Sequence, residues 1–412
     1  METWKRNLYI LMVAQFLVMS GMSMIMPFLP LYLKDMGMTD PKEMQWWAGL
    51  IFGINFLSAF VMAPIWGSLA DKMGRKIMVL RSGFGMSIVT ALMGLAMSPF
   101  QLLLLRLLNG TVSGFIPAAI SLTATNTPKE RRGYALGMLQ SGAVAGNIMG
   151  PFIGGALAEV VGFRMIFLLT GITTTLATLV VFFAVKEEVK PEPSEKKASF
   201  FADGSQILHE KPLLILFSVG FMLQFAMLAS MPQMSLFVDQ LGAPGGYIAF
   251  FAGLVTAVTG MANLLSAPRL GKLGDRHGSE RVLFFAMLGA ALVFIPHAFV
   301  TSIWQLLIFR FLLGLCMGGL LPSLNNLIQK NAPAGKESTA YGYSTSATFL
   351  GNMFGPIIGG YLTGFIGIRG LFLLTAAMLL IGALWLKSGL RRVAANSSRT
   401  HQYTSGKMPS AR

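Results

Sequence analysis

GNIMGPFIGG, residues 146–155, returns as GNMFGPIIGG, residues 351–360, at an offset of 205. Two further motifs recur in the same order. Ala63-Pro64 with Gly67, Asp71 and Gly74 recurs as Ala267-Pro268 with Gly271, Asp275 and Gly278, at an offset of 204. Arg106, Gly110 and Gly114 recur as Arg310, Gly314 and Gly318, and Arg164 matches Arg369. Three motifs in one order with a single residue of drift describe a duplicated unit, so the chain reads as two copies of one structure.

What that unit is follows from composition. Of 412 residues, 54% are hydrophobic and 12% are charged, against about 25% charged in a soluble domain. Disorder is excluded, and a soluble enzyme has too little polar side chain here to cover its surface. A helix needs about 20 apolar residues to cross a bilayer. Such runs lie near 8–33, 46–70, 77–97, 100–124, 134–158 and 163–185, then near 212–238, 246–270, 281–301, 303–328, 340–365 and 368–388. They are continuous rather than alternating, which excludes a strand barrel. The expected fold is therefore an all-α membrane protein, with twelve spans in two pseudo-symmetric six-helix bundles. The shortest gaps follow spans 3, 5, 9 and 11, where tight hairpins are expected. The first span lacks a small-residue cleavage site and reads as a retained helix.

Residues 1–185 form the first bundle and 212–390 the second. Between them, KEEVKPEPSEKKASFFADGSQILHEK (residues 186–211) reads as a cytoplasmic linker with room for a short surface helix. Residues 391–412 are polar and Ser-rich and read as a disordered cytoplasmic tail. The net charge is +15. On a soluble chain that would suggest nucleic acid; here the bases collect in alternate loops. Only Lys34, Lys42, Arg164 and Arg369 fall on the opposite side, while Arg106 and Arg310 fall within spans. The positive-inside rule then places both termini in the cytoplasm. Cys316 stands alone, so no intramolecular disulfide or cysteine metal site is expected. HExxH, GxxxxGK[ST] and aspartate-rich diphosphate motifs are absent, which argues against a metal enzyme and against ATP drive.

The repeated motifs carry a resemblance as well. GSLADKMGRK (Gly67–Lys76) resembles the loop signature between helices 2 and 3 of major facilitator transporters, and LLLRLLNGTVSG (Leu103–Gly114) resembles their helix 4 signature. GNIMGPFIGG and PFLPLYL (Pro27–Leu33) are similar to the helix 5 signature and the helix 1 end of the drug–proton antiporter group. APRLGKLGDR (Ala267–Arg276) and WKRNL (Trp4–Leu8) extend the likeness to bacterial multidrug efflux proteins, over about residues 5–390. The resemblance implies a monomeric inner-membrane exporter of small amphiphilic compounds, driven by the proton gradient without a cofactor. In such a transporter the substrate site lies between the halves.

Residue by residue, the resemblance implies a conformational latch at Gly67, Asp71, Gly74, Arg75 and Lys76, with Asp275 as the weaker second copy because Ser279 and Glu280 replace the basic pair. A topology anchor is the plainer reading of those bases. The resemblance implies proton coupling at Arg106, with Arg310 as its counterpart. An ionisable residue inside a span is a functional candidate by default, although it can also bond backbone carbonyls or snorkel. Asp35 and Glu159 are the acids at outer ends that could pair with Arg106. No acid lies near the middle of any span, and this favours neutral or zwitterionic substrates over strong cations. Gly146, Gly150, Pro151, Gly154 and Gly155, repeated as Gly351, Gly355 and Pro356, suit close helix packing, and the resemblance implies a hinge or leak seal. Gln15, Asn55, Asn109, Gln140, Asn147, Gln224, Asn263, Asn325 and Asn352, with Gln233 and Asn326, are candidate cavity residues. Helix 1 crowds Met12, Met19, Met22, Met24 and Met26 with Phe16 and Phe28, a flexible lining that suits varied apolar ligands. The competing function is an organic-anion or metabolite antiporter that uses Arg106 and Arg310 on its substrate.

Overall fold

The structure, a computed structural model, describes residues 2–187, 207–333 and 336–405. Every element among them is helical. Apolar runs of this length have no other way to satisfy their backbone in lipid once a barrel is excluded. In chain order the first half gives α1 (Thr3–Asp35), α2 (Pro41–Met73), α3 (Arg75–Met93), α4 (Pro99–Asn126), α5 (132–161) and α6 (163–184). The second half gives α7 (Lys211–Gln240), α8 (Ile248–His277), α9 (Ser279–His297), α10 (Ile303–Asn331), α11 (337–366) and α12 (368–405).

Helices α5 and α6 are continuous except at Gly162 (φ 77°), as α11 and α12 are except at Gly367 (φ 70°). The chain reverses at these glycines. Met12, Phe16, Ser20 and Met24 of α1 meet Gly142, Gly146, Gly150 and Gly154 in parallel order. The same helix runs antiparallel to α6, with Asn7 bonded to Lys186 and Gly21 against Thr170. The left-handed φ explains why glycine occupies each tip. The same repeat shows in capping. Ser98 accepts from the Gln101 N–H while the Gln101 side chain accepts from the Met97 N–H, and Ser302 with Gln305 and Thr301 does the same. Reciprocal caps of this kind fix where a helix starts.

Four helices are interrupted, α10 among them, at Gly318–Gly319. Helix α1 tightens to a 3-10 turn at Met26–Phe28 around Pro27, and α7 is interrupted between Ala229 and Met234, where Pro232 holds the matching place. Helix α4 breaks at Ser113–Gly114, where Gly114 has φ 122°.

Helix α12 continues to Ser405. The tail expected from Arg391 thus begins as a continuation of this helix. Extending an existing helix costs no new nucleus, and Arg391, Arg392, Ala394 and Ala395 include good helix formers. Most of the expected linker, residues 188–206, lies outside the described residues, as do residues 406–412. The start of α1 and the end of α12 lie on the face that carries Arg75, Lys76, Lys129 and Arg281, here called the basic face.

Candidate functional site

The two bundles touch along two helix pairs, α2 with α11 and α5 with α8. At the face opposite the basic one these pairs are as close as backbones allow. A Cβ added to Gly49 would collide with the Pro356 carbonyl, and one on Gly253 with the Pro151 carbonyl. A Cβ on Gly155 would lie 2.6 Å from the Ala249 carbonyl oxygen. Cα–H to carbonyl contacts are the natural content of such approaches. Nearer the basic face the same helix sides are bare. Gly67 lies five turns below Gly49 on the same side of α2, and Gly271 stands likewise below Gly253 on α8; a Cβ added to either would meet nothing within 4 Å among the described residues. Gly133 and Gly137 on α5 are equally free. The bundles therefore form a wedge, sealed at one end and open toward the basic face.

The repeated GNxxGPxxGG stretch works on two sides at once. Gly146, Gly150 and Gly154 seat α5 on α1, and Gly351, Gly355 and Gly359 seat α11 on α7, inside each bundle. Pro151 and Gly155, with Pro356 and Gly360, form the seal between bundles.

Just below the seal, Phe52, Phe56 and Phe349 form an aromatic row from α2 to α11, with ring centroids 5.8 and 6.5 Å apart. Gln224 on α7 donates to Asn352 on α11 at 3.0 Å. Asn147, the counterpart of Asn352, is exposed, as is Gln140 two turns along the same side of α5. These residues line the wedge. Asn263 is half-buried on α8 and Asn325 exposed on α10, where its carbonyl accepts from Tyr341 at 3.0 Å; Asn326 beside it is half-buried.

Four expected cavity residues turn elsewhere. Gln15 has 0% exposure and both amide atoms lack a partner among the described residues, so it sits within its bundle and not on the wedge. Asn109 is buried and donates to Thr90 at 3.3 Å, while Asn55 is buried beside Gly110. Gln233 is buried at the seal, where it donates to the Gln45 carbonyl.

The charged residues separate in the same way. Arg106 is 7% exposed, and its Nε and Nη2 have no hydrogen-bond partner among the described residues. The expected pairing with Asp35 or Glu159 does not form. Asp35 is exposed at the end of α1. Glu159 crosses the interface and accepts from the Ala249 and Phe250 N–H groups at 2.8 and 3.3 Å, in the first turn of α8. An anion is favoured there by the helix dipole and the unpaired N–H groups. Arg310 turns into the second bundle, with Nη2 3.4 Å from the Met234 sulfur and its guanidinium 6.0 Å from the Phe372 ring.

At the basic face, the N–H groups of Arg75 and Lys76 donate to the Glu187 carboxylate at 2.9 and 3.1 Å, and Lys76 Nζ donates to the Phe182 carbonyl at 2.8 Å. In this conformation those residues tie α3 to α6 within one bundle. Asp275 is exposed, and the Asp71 side chain lies outside the described residues.

Sequence reasoning missed two features. Arg81, which loop counting places with the inner charges, lies within α3. Its guanidinium stacks 3.6 Å over the Trp66 ring and donates to the Ser113 carbonyl, while Trp66 donates to the Thr111 carbonyl. Together they hold the break in α4. Lys34 and Asp239 form an ion pair at 3.1 Å across the sealed end.

A cavity between two repeated six-helix bundles, closed at one end only, is the geometry of alternating access. The comparisons with known proteins agree. The family model described as Major Facilitator Superfamily matches residues 11–262 and 246–409. The chain is 40% identical to "Multidrug resistance protein MdtG" of Klebsiella pneumoniae (strain 342) over 97% of each chain. It is 39% identical to the protein of that name in Salmonella typhimurium, over 94% of this chain and 96% of the relative. Among solved structures, a bacterial homologue of the human lysosomal transporter Spinster, in an inward-facing and unoccupied conformation, superposes with a TM-score of 0.78 at 18% identity, covering 95% of this chain and 97% of that one. The nucleoside transporter NupG superposes with a TM-score of 0.78 at 15% identity, over 94% of this chain and 99% of that one. The expectation of a twelve-helix major facilitator fold is thereby met, and this chain is a membrane transporter belonging to the Major Facilitator Superfamily.

Proposed function

We propose that this transporter is a proton-driven exporter of small amphiphilic compounds, fluoroquinolones and dyes among them. It works as a monomer in the cytoplasmic membrane with both termini inside. The observation that carries the reading is the one-ended wedge: it opens toward the basic face, which the positive-inside rule assigns to the cytoplasm. Substrate would enter there from the cytoplasm or inner leaflet. The names of the relatives support a drug as cargo.

The wedge chemistry supports the same class. Its identified lining is aromatic and amide: Phe56 and Phe349, with Gln140, Asn147, Gln224 and Asn352. Such a surface holds flat, weakly polar molecules without demanding a charge on them. Arg106 is the residue assigned to proton coupling. A buried guanidinium with two unpaired nitrogens is costly and gains from any anion or acceptor that reaches it. Arg310 turns into the second bundle toward Met234 and Phe372 and not onto the wedge, so the reading does not draw on an anion site shared by the two arginines.

The test uses everted vesicles with an imposed pH gradient and a pH-sensitive dye. Protein-dependent proton movement on adding a fluoroquinolone or dye supports antiport. Response to organic phosphates alone, with none to drugs, overturns the reading in favour of a metabolite antiporter.

A further inference from the structure

The repeat breaks at one corner, and a cavity appears where it does. In the first half the start of α3 is filled: Glu187, just after α6, accepts from the Arg75 and Lys76 N–H groups, and Arg81 lies over Trp66. In the second half the position matching Arg81 is Phe285, which is 64% exposed. The positions matching Glu187 are Arg391 and Arg392. Among the described residues, no side chain caps the corresponding start of α9. A cavity of about 380 Å³ opens there, lined by Glu280, Arg281, Phe284, Phe285 and Lys387.

The lining chemistry names its occupant. Arg281 and Lys387 stand at the ends of the apolar runs of α9 and α12, at the depth of lipid headgroups. Lys387 Nζ sits 4.8 Å from the Phe284 ring. Among the described residues, the charged groups of Glu280, Arg281 and Lys387 have no hydrogen bond or ion pair with one another. Two cations beside one carboxylate match a phosphate with an ammonium attached. The exposed Phe285 gives the chain below that headgroup an apolar surface. We propose that this corner binds one phosphatidylethanolamine molecule. Its phosphate meets Arg281 and Lys387, its ammonium meets Glu280, and its acyl region lies along Phe285. A purely anionic lipid would leave Glu280 opposed to it, and a quaternary choline could not donate hydrogen bonds to the carboxylate.

The test counts lipids retained by the full-length protein in native mass spectrometry, after reconstitution in equal mixtures of phosphatidylethanolamine, phosphatidylcholine and phosphatidylglycerol. One tightly retained phosphatidylethanolamine is expected. Arg281→Ala with Lys387→Ala should lower that retention about thirtyfold, the combined effect of two bases near the surface. Glu280→Gln, which keeps size and both cations, should abolish the preference over phosphatidylglycerol while lipid is still bound. Equal retention of the three lipids by the unaltered protein overturns the proposal and needs no variant to fold. So does undiminished, selective retention in the double variant.

Discussion

Lys34 and Asp239 hold equivalent places in the two halves, 205 residues apart, and bind each other at 3.1 Å. A residue that touches its own counterpart must sit on the two-fold axis relating the halves, so this pair marks where that axis leaves the sealed end. Both side chains are substantially exposed, and such pairs contribute about 0–1 kcal/mol. Lys34→Ala should therefore raise the fraction open at this end by about fivefold at most. The exchange Lys34→Asp with Asp239→Lys should restore the original balance. Distances between spin labels on α2 and α11 would read both.

The seal should be far less tolerant. Gly49→Val and Gly253→Val place bulk on the Pro356 and Pro151 carbonyls, where no flexible neighbour can yield. Overpacking of this kind costs about 1–3 kcal/mol. Each should leave membrane insertion intact, shift the protein away from the wedge described here and lower export at least about tenfold. Labelling of a cysteine placed at Gln45 by a membrane-impermeant reagent should rise in parallel.

Gly67→Val and Gly271→Val make the opposite case. Both sites are empty here, so this conformation accommodates the side chains. If the basic ends close during the cycle, those side chains block closure. Drug binding should persist while turnover falls. Unchanged turnover would show that these helix faces never meet.

Glu159→Ala removes the carboxylate from the start of α8. Loss of a cap of this strength costs about 0.5–2 kcal/mol, and the effect should resemble that of Lys34→Ala in direction. Glu159→Gln keeps an acceptor and should fall between. Spin-label distances between α5 and α8 would order the three.

Asn147→Ala and Asn352→Ala test the wedge lining. Asn352 is bonded to Gln224, so its loss also frees that amide and should alter the drug profile more than loss of the exposed Asn147. Inhibitory concentrations across a panel of fluoroquinolones and dyes would show whether the profile shifts or falls uniformly.

The sequence carries the fold because its signals are local or repeated. Apolar runs set the helices, and Gly162 and Gly367 sit in the short gaps where hairpins are expected. The GNxxGPxxGG repeat declares close packing, but not that one side seats α5 on α1 while the other meets α8; that depends on where neighbouring helices arrive. Arg81 counts as a loop charge because charge patterning cannot separate a helix end from a base two turns inside. Gln15 reads as a cavity residue because polarity in a span does not say which way it points. Lys34 and Asp239 lie in short segments at the sealed end whose partners only the assembled bundles define.

The contacts that close the wedge are arranged about one axis. The Gly49–Pro356 and Gly253–Pro151 approaches are symmetry mates across the two-fold, so their midpoint lies on the axis that Lys34 and Asp239 mark. The two approaches stand on either side of that axis, like the two pins of one door hinge, and Lys34 meets Asp239 beyond them at the sealed end. Rotation about the line through the two pins can widen or narrow the mouth at the basic face while both stay seated. The same rotation moves Lys34 relative to Asp239, so the width of the mouth and the fit of the far gate are coupled through one hinge.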